Sequence, residues 1–364
     1  MTILFFNSAV TRDDLGARQF DRANADKLRV LFEGAPGFEP TPLVKLERLA
    51  ARFGLGEIWA KDERQRWGLG SFKSLGGAYA VVSLAAEALG VSPADIFAGR
   101  APKASEMTVA TATAGNHGRA VAFGAKLAGA RAVIFVYGDV PKVQIAAIAV
   151  LGAEIVIVAG DYEAACRAAE AACEKHGWIL VSDVASDGYT EIPQRIMRGY
   201  AVLAAEAMDG LREMPTHLFL QAGVGGMAAP VAATFVNSCT PPPIVTVVEA
   251  ATVPCLMESA RRNAFTRTES SGPTNLSRLD CPTPSSTTWP ILRALASAFV
   301  GVENETAAEA AAMLVGEGLA TTPTGAAGLA GLLALSRETG AFDQLGLGPQ
   351  SRVLIVITEQ AVAG

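Results

Sequence analysis

Short apolar runs without polar alternation recur along this chain, separated by Ala-rich stretches with helical spacing. MTVATAT (107–113) predicts a buried strand, followed by a helix from about Gly118 through AVAFGAKLAG. RAVIFVYG (131–138) predicts the next strand and KVQIAAIAVLG (142–152) the next helix. The alternation continues with a strand at EIVIVAG (154–160), a helix at DYEAACRAAEAACEKHG and a strand at WILVSD (178–183). HLFLQAG (217–223), PIVTVVEA (243–250) and RVLIVIT (352–358) repeat the strand pattern. Strands that are apolar on both faces and divided by helices belong in parallel sheets covered on each side. The expectation is an α/β protein with two lobes. One segment breaks the rhythm: residues 264–290, AFTRTESSGPTNLSRLDCPTPSSTTWP, are polar and rich in Ser, Thr and Pro. A loop of that length in a compact domain is either functional or mobile.

Composition narrows the class. The chain has 364 residues, 50% of them hydrophobic and 18% charged, enough apolar material for a sizeable core. Its net charge is −6 and it has no basic run, so nucleic acid and anionic membranes are not expected partners. The apolar start TILFF is too short for a signal sequence and lacks a basic flank. No run reaches the length of a membrane span. The five cysteines are odd in number and lack CxxC spacing, which implies reduced thiols in the cytoplasm and disfavours structural zinc. Only three histidines, His117, His176 and His217, are on hand for a triad or a metal site.

Three glycine-rich stretches carry candidate chemistry. In RWGLGSFKSLGGAYA, Lys73 stands at the start of a helix. The macrodipole there favours anions, so the position suits an amine kept neutral or covalently bonded more than a free ammonium. A solvated loop lysine is the bland alternative. In TATAGNHGRAVAF, Gly115-Asn116-His117-Gly118 follows a strand and opens a helix, where N–H groups can hold an anion. Asn116 can donate and accept in one plane, which suits a phenolate oxygen. His117 could equally be a packing or capping residue. In LFLQAGVGGMAAPVAATF, Gly223, Val224, Gly225 and Gly226 lie between a strand and a helix, the arrangement of a phosphate cradle. A full GxGxxG fingerprint is absent, because Ala228 stands where its last glycine would be.

Together these stretches, in this order, resemble the fold-type-II pyridoxal-phosphate enzymes, the tryptophan-synthase-β-like group. The details are most similar to diaminopropionate ammonia-lyases. The resemblance runs from TPLVKL (41–46) through the three stretches, SDVASDGYTEIPQRIMRGYAVLA (182–204), VVEA and WPILRALASAF (289–299). It implies a large cofactor-binding domain from residues 1–75 and 186–364, a small domain from residues 76–185, and a homodimer. It implies pyridoxal 5'-phosphate carried by Lys73, which also moves the substrate's α-proton. Phe72 would flank that lysine. Asn116 would meet the cofactor's ring hydroxyl oxygen, Gly223 to Gly226 its phosphate, and Thr358 its pyridine nitrogen. Asp183 would serve the leaving group, with a turn-forming or capping aspartate as the alternative. Ser74 and the turn Thr113, Ala114, His117 would hold the substrate carboxylate. The implied reaction is α,β-elimination from a small β-substituted L-amino acid, giving a 2-oxo acid and ammonia.

Three departures qualify the resemblance. Ala114 replaces the aspartate that serves the D-isomer in the ammonia-lyases, as in L-serine and L-threonine dehydratases. A methyl group takes no proton, so only L-substrates are expected. Gln360 replaces a glycine after the last strand, and PTGA (323–326) replaces ESGA. A serine or threonine-type dehydratase therefore stands as the alternative reaction. An NAD-dependent oxidoreductase and a non-catalytic amino-acid binder remain the readings from other classes.

Overall fold

The computed structural model describes residues 3–8, 10–11, 16–113 and 115–361. In chain order its strands are β1 (Ile3–Phe6), β2 (Leu43–Lys45), β3 (Glu57–Asp62), β4 (Thr108–Ala112), β5 (Arg131–Tyr137) and β6 (Glu154–Val158). They continue with β7 (Ile179–Leu180), β8 (His217–Gln221), β9 (Ile244–Ala250), β10 (Ala296–Val302) and β11 (Arg352–Ile357). The apolar runs expected as β4, β5, β6, β8, β9 and β11 form those strands, within two residues of the expected ends.

The chain divides into two units. One comprises Met1–Ala25, Pro40–Gln65 and Leu203–Gly364, the other Asp26–Glu39 and Arg66–Val202. The first holds a seven-stranded sheet in the order β1-β10-β9-β8-β11-β3-β2. Its inner pairs are parallel, while β1 and β2 join the edges antiparallel. The core of this unit includes Leu46, Ile58, Phe219, Val248, Val300, Leu329, Leu332 and Ile355, all buried. Each such side chain contributes about 1.5–3 kcal/mol by leaving water. The buried Ala327–Ser336 helix is apolar on every side, as a helix enclosed by its own unit should be.

The second unit holds a four-stranded parallel sheet, β6-β5-β4-β7. Residues 26–39, 66–75 and 186–202, expected with the large domain, group here with the four-stranded sheet. The reason is helix packing. The Lys73–Leu89 and Asn116–Ala128 helices meet backbone to backbone, and a Cβ on Gly77 would come within 2.5 Å of the Ala120 Cβ. On another side, a Cβ on Gly199 of the Glu191–Gly210 helix would lie 2.7 Å from the Gly76 Cα. The Lys73 helix is thereby gripped by two neighbours, and its first turn is held firmly.

One strand is shorter than expected. Six residues, 178–183, were expected to be extended, but β7 has only two. Beyond it, side chains replace the ladder. The Tyr189 hydroxyl donates to the Leu180 carbonyl (2.8 Å) and accepts from the Ser182 N–H (2.9 Å). The Val181 carbonyl takes a hydrogen bond from His117 (2.8 Å). Satisfied backbone groups need no partner strand, so the chain is free to turn at Asp183.

Candidate active site

Within the second unit, two helix starts and the turn after β7 bring charged groups together. Lys73 is the first residue of its helix, and its Nζ hydrogen-bonds and ion-pairs with Asp183 Oδ2. The lysine side chain is 26% exposed. Burial works against charge on Asp183, but the neighbouring His117 and Lys73 outweigh it and hold the carboxyl well below the usual carboxylate range. The anion resolves the electrostatic oddity of a lysine at a helix start: the ammonium has a carboxylate partner.

The Asn116–Ala128 helix supplies the neighbours. Asn116 is buried, and its Oδ1 accepts from the Arg119 guanidinium. His117 is buried with its Nδ1 3.8 Å from Asp183 Oδ2. Burial pushes its imidazole below the usual range, against the pull of Asp183. The Thr113 hydroxyl accepts from the N–H groups of Gly115 (2.9 Å) and Gly118 (3.2 Å), closing the turn that opens the helix. Ser74 is buried and donates to the Ser71 carbonyl (3.1 Å). Phe72 packs edge-on against Tyr200, with ring centroids 4.8 Å apart. The expectation for Ala114 lies outside the described residues.

Within the first unit, the glycine stretch links β8 to the Ala228–Ser238 helix. Gly225 has φ +94°, a conformation L-residues avoid, and a Cβ there would lie 2.7 Å from the Thr288 hydroxyl oxygen. The Val224 carbonyl accepts from the Ser285 N–H (3.1 Å) and from the Thr288 hydroxyl. The 264–290 segment thus braces the glycine loop through Ser285 and Thr288, a role its composition did not reveal. Gly223 and Gly226 are partly exposed at the start of this helix, a place where first-turn N–H groups and the dipole favour an anion.

Thr358 follows β11 and is buried, its hydroxyl accepting from Gln221 Nε2 (3.4 Å). Gln221 escaped the sequence reading because a single amide before a glycine loop carries no pattern. Its Nε2 also donates to the Val356 carbonyl (2.9 Å) and the Gly325 carbonyl (3.3 Å). The altered PTGA turn is therefore tied to the same amide. Gln360 is exposed, while Glu359 is buried and accepts from the Thr322 hydroxyl (2.6 Å).

Each unit by itself carries groups that suit a phosphorylated aldehyde cofactor: the second a partly exposed primary amine, the first a helix start too tight for side chains and a hydroxyl at a strand end. The model of the family described as pyridoxal-phosphate dependent enzyme matches residues 35–359. The chain belongs to that family, and its cofactor is pyridoxal 5'-phosphate. It is similar to the diaminopropionate ammonia-lyase of Escherichia coli (strain K12), with 35% identity over 355 residues, 93% of this chain and 89% of that one. A crystal structure of the Escherichia coli enzyme in complex with D-serine superposes with a TM-score of 0.89 at 32% identity, covering 99% of this chain and 94% of that one. Threonine deaminase isoform 2 from Solanum lycopersicum, at 20% identity and a TM-score of 0.77 over 99% and 94% of the two chains, shares the fold. Among the described residues, no helix is long and apolar enough to cross a membrane.

Proposed function

We propose that this protein is a pyridoxal-phosphate-dependent lyase that eliminates the β-substituent of a small L-amino acid, with L-2,3-diaminopropionate as the favoured substrate. The observation that carries the reading is the Lys73–Asp183 pair: an amine and an acid in direct contact, both partly open to solvent. Lys73 bears the cofactor, flanked by Phe72. Asn116 would hold the ring oxygen, Gly223, Val224, Gly225 and Gly226 the phosphate, and Thr358 the pyridine nitrogen. Ser74 and the turn at Thr113, Ala114 and His117 orient the substrate carboxylate.

When bound, the cofactor supplies the electron sink for a carbanion at Cα. Lys73, freed as an amine, takes the α-proton and becomes an ammonium. Its contact with Asp183 gives that proton a route to the carboxyl. Asp183 then protonates the group leaving Cβ. One proton leaves Cα and one departs with the leaving group, so the cycle balances. The released enamine hydrolyses to a 2-oxo acid and ammonia, and a diamino substrate yields a second ammonia. The identity with diaminopropionate ammonia-lyases along nearly the whole chain supports the diamino substrate.

Ala114 favours the second reading, a dehydratase of 3-hydroxy amino acids, because dehydratases resemble this chain at that position. Parallel assays of ammonia and 2-oxo acid from L-diaminopropionate, L-serine and L-threonine separate the two. Preference for diaminopropionate supports the first reading, preference for a hydroxy substrate the second, and no product from any of them contradicts both. The reading extends to a cytoplasmic homodimer, supported by the odd, unspaced cysteine set and by the family resemblance.

A further inference from the structure

His117 has a place in the second unit that neither packing nor carboxylate binding explains. Its Nε2 lies 2.8 Å from the Val181 carbonyl, which can only accept, so Nε2 carries the hydrogen. A neutral ring with that tautomer has a bare lone pair on Nδ1. That atom is buried, has no hydrogen-bond partner, and points at Asp183 Oδ2 from 3.8 Å. Two lone pairs facing each other across a buried gap are unfavourable unless a proton lies between them. With Lys73 an ammonium, the carboxylate already has its donor. With the Lys73 nitrogen committed to the cofactor, that donor changes and the gap has to be bridged.

We propose that His117 is a positioning residue that holds one proton between its Nδ1 and Asp183 Oδ2 whenever the Lys73 nitrogen is committed to the cofactor. This rests on the elimination reading above and adds a third station to it. The pair gives its proton to the leaving group, the α-proton that the freed Lys73 takes replaces it when that nitrogen returns to the cofactor, and His117 is unchanged after each cycle. The other titratable groups facing the pair do not compete. Tyr189, Tyr200 of the Glu191–Gly210 helix and Cys166 of the Tyr162–His176 helix are each pushed up by burial and stay neutral. Arg119, on the same helix as His117, is engaged with Asn116. Burial of His117 keeps the free imidazole neutral, so it accepts a proton only with the carboxylate's help.

Histidine-¹⁵N NMR tests this without turnover. In cofactor-free wild type, the Nδ1 signal of His117, assigned by its loss in His117→Gln, should be that of an unprotonated nitrogen. In cofactor-loaded protein, and in cofactor-free Lys73→Ala, it should move toward the protonated position; in Lys73→Ala/Asp183→Asn it should not. Turnover gives a second readout. His117→Gln keeps a donor for Val181 but no acceptor for Asp183, and should lose about 10²-fold in kcat, with the cofactor spectrum unchanged. His117→Asn restores an acceptor near Nδ1 and should recover part of that loss. An unmoved Nδ1 signal in both the loaded protein and Lys73→Ala overturns the proposal, and so does an active Gln variant beside an inactive Asn variant. If wild type turns over none of the candidate substrates, the elimination reading fails, while the NMR result still decides the proton's place.

Discussion

Replacing Gly225 by alanine tests the glycine loop as the phosphate cradle. The new methyl would lie 2.7 Å from the Thr288 hydroxyl oxygen and 2.9 Å from Leu292 Cδ1. Thr288 is buried and β-branched, and its hydroxyl is committed to the Val224 carbonyl, so it cannot swing aside cheaply. The backbone at φ +94° adds about 1–2 kcal/mol of strain for a residue with a Cβ. Losing the Thr288 hydrogen bond adds about 0.5–1.5 kcal/mol. The two together come to about 1.5–3.5 kcal/mol, which corresponds to cofactor affinity weakened roughly 10- to 400-fold. Titrating cofactor-free protein with pyridoxal phosphate, followed by visible absorbance, measures this directly. A thermal melt of the cofactor-free variant shows whether the cost falls on the loop or on the whole unit. In Gly225→Ala/Thr288→Ala the steric part is relieved and affinity should partly return. Wild-type affinity in Gly225→Ala, within about twofold, would refute the assignment of this loop to the phosphate.

Three further outcomes follow from the same geometry. Asp183→Asn keeps the shape but removes the acid, so kcat should fall about 10²- to 10⁴-fold while the cofactor still binds; steady-state kinetics beside a cofactor titration checks it. L-diaminopropionate should be consumed and the D-isomer left, since Ala114 offers no base; chiral chromatography of the residual racemate decides. Glu249, which accepts the Leu256 and Met257 N–H groups (2.8 Å each), is raised by burial from the ordinary 4.5 to about 8. The folded state then holds a proton that the unfolded chain has already lost between those values, so stability falls as pH rises through that window. Melting temperature should decline from pH 5 to 9 in wild type, with a flatter profile in Glu249→Gln.

Much of the fold was legible because parallel strands buried on both faces leave continuous apolar runs, as in RVLIVIT and EIVIVAG. The four unexpected strands, β1, β2, β3 and β10, show where that signal ends, and β3 (EIWAKD) mixes charged residues with its apolar ones. β1 and β2 sit at sheet edges, and β10 follows directly on the Trp289–Leu295 helix, so nothing in the local pattern marks the change. The early end of β7 depends on a hydroxyl that the next turn folds back, Tyr189, and on His117, which is distant from it in sequence. The candidate site divides the same way. Glycines and a lysine at helix starts announce themselves, because backbone geometry restricts which residues can stand there. Gln221, Thr288 and the His117–Asp183 approach do not, since each is defined only by a partner that folding brings close.

Sodium borohydride reduction of the cofactor-loaded protein, followed by peptide mapping, addresses the cofactor-bearing amine most directly. The account predicts a single phosphopyridoxyl label on Lys73 and a colourless, inactive Lys73→Ala variant. A label on any other lysine, or wild-type turnover in Lys73→Ala, would contradict it.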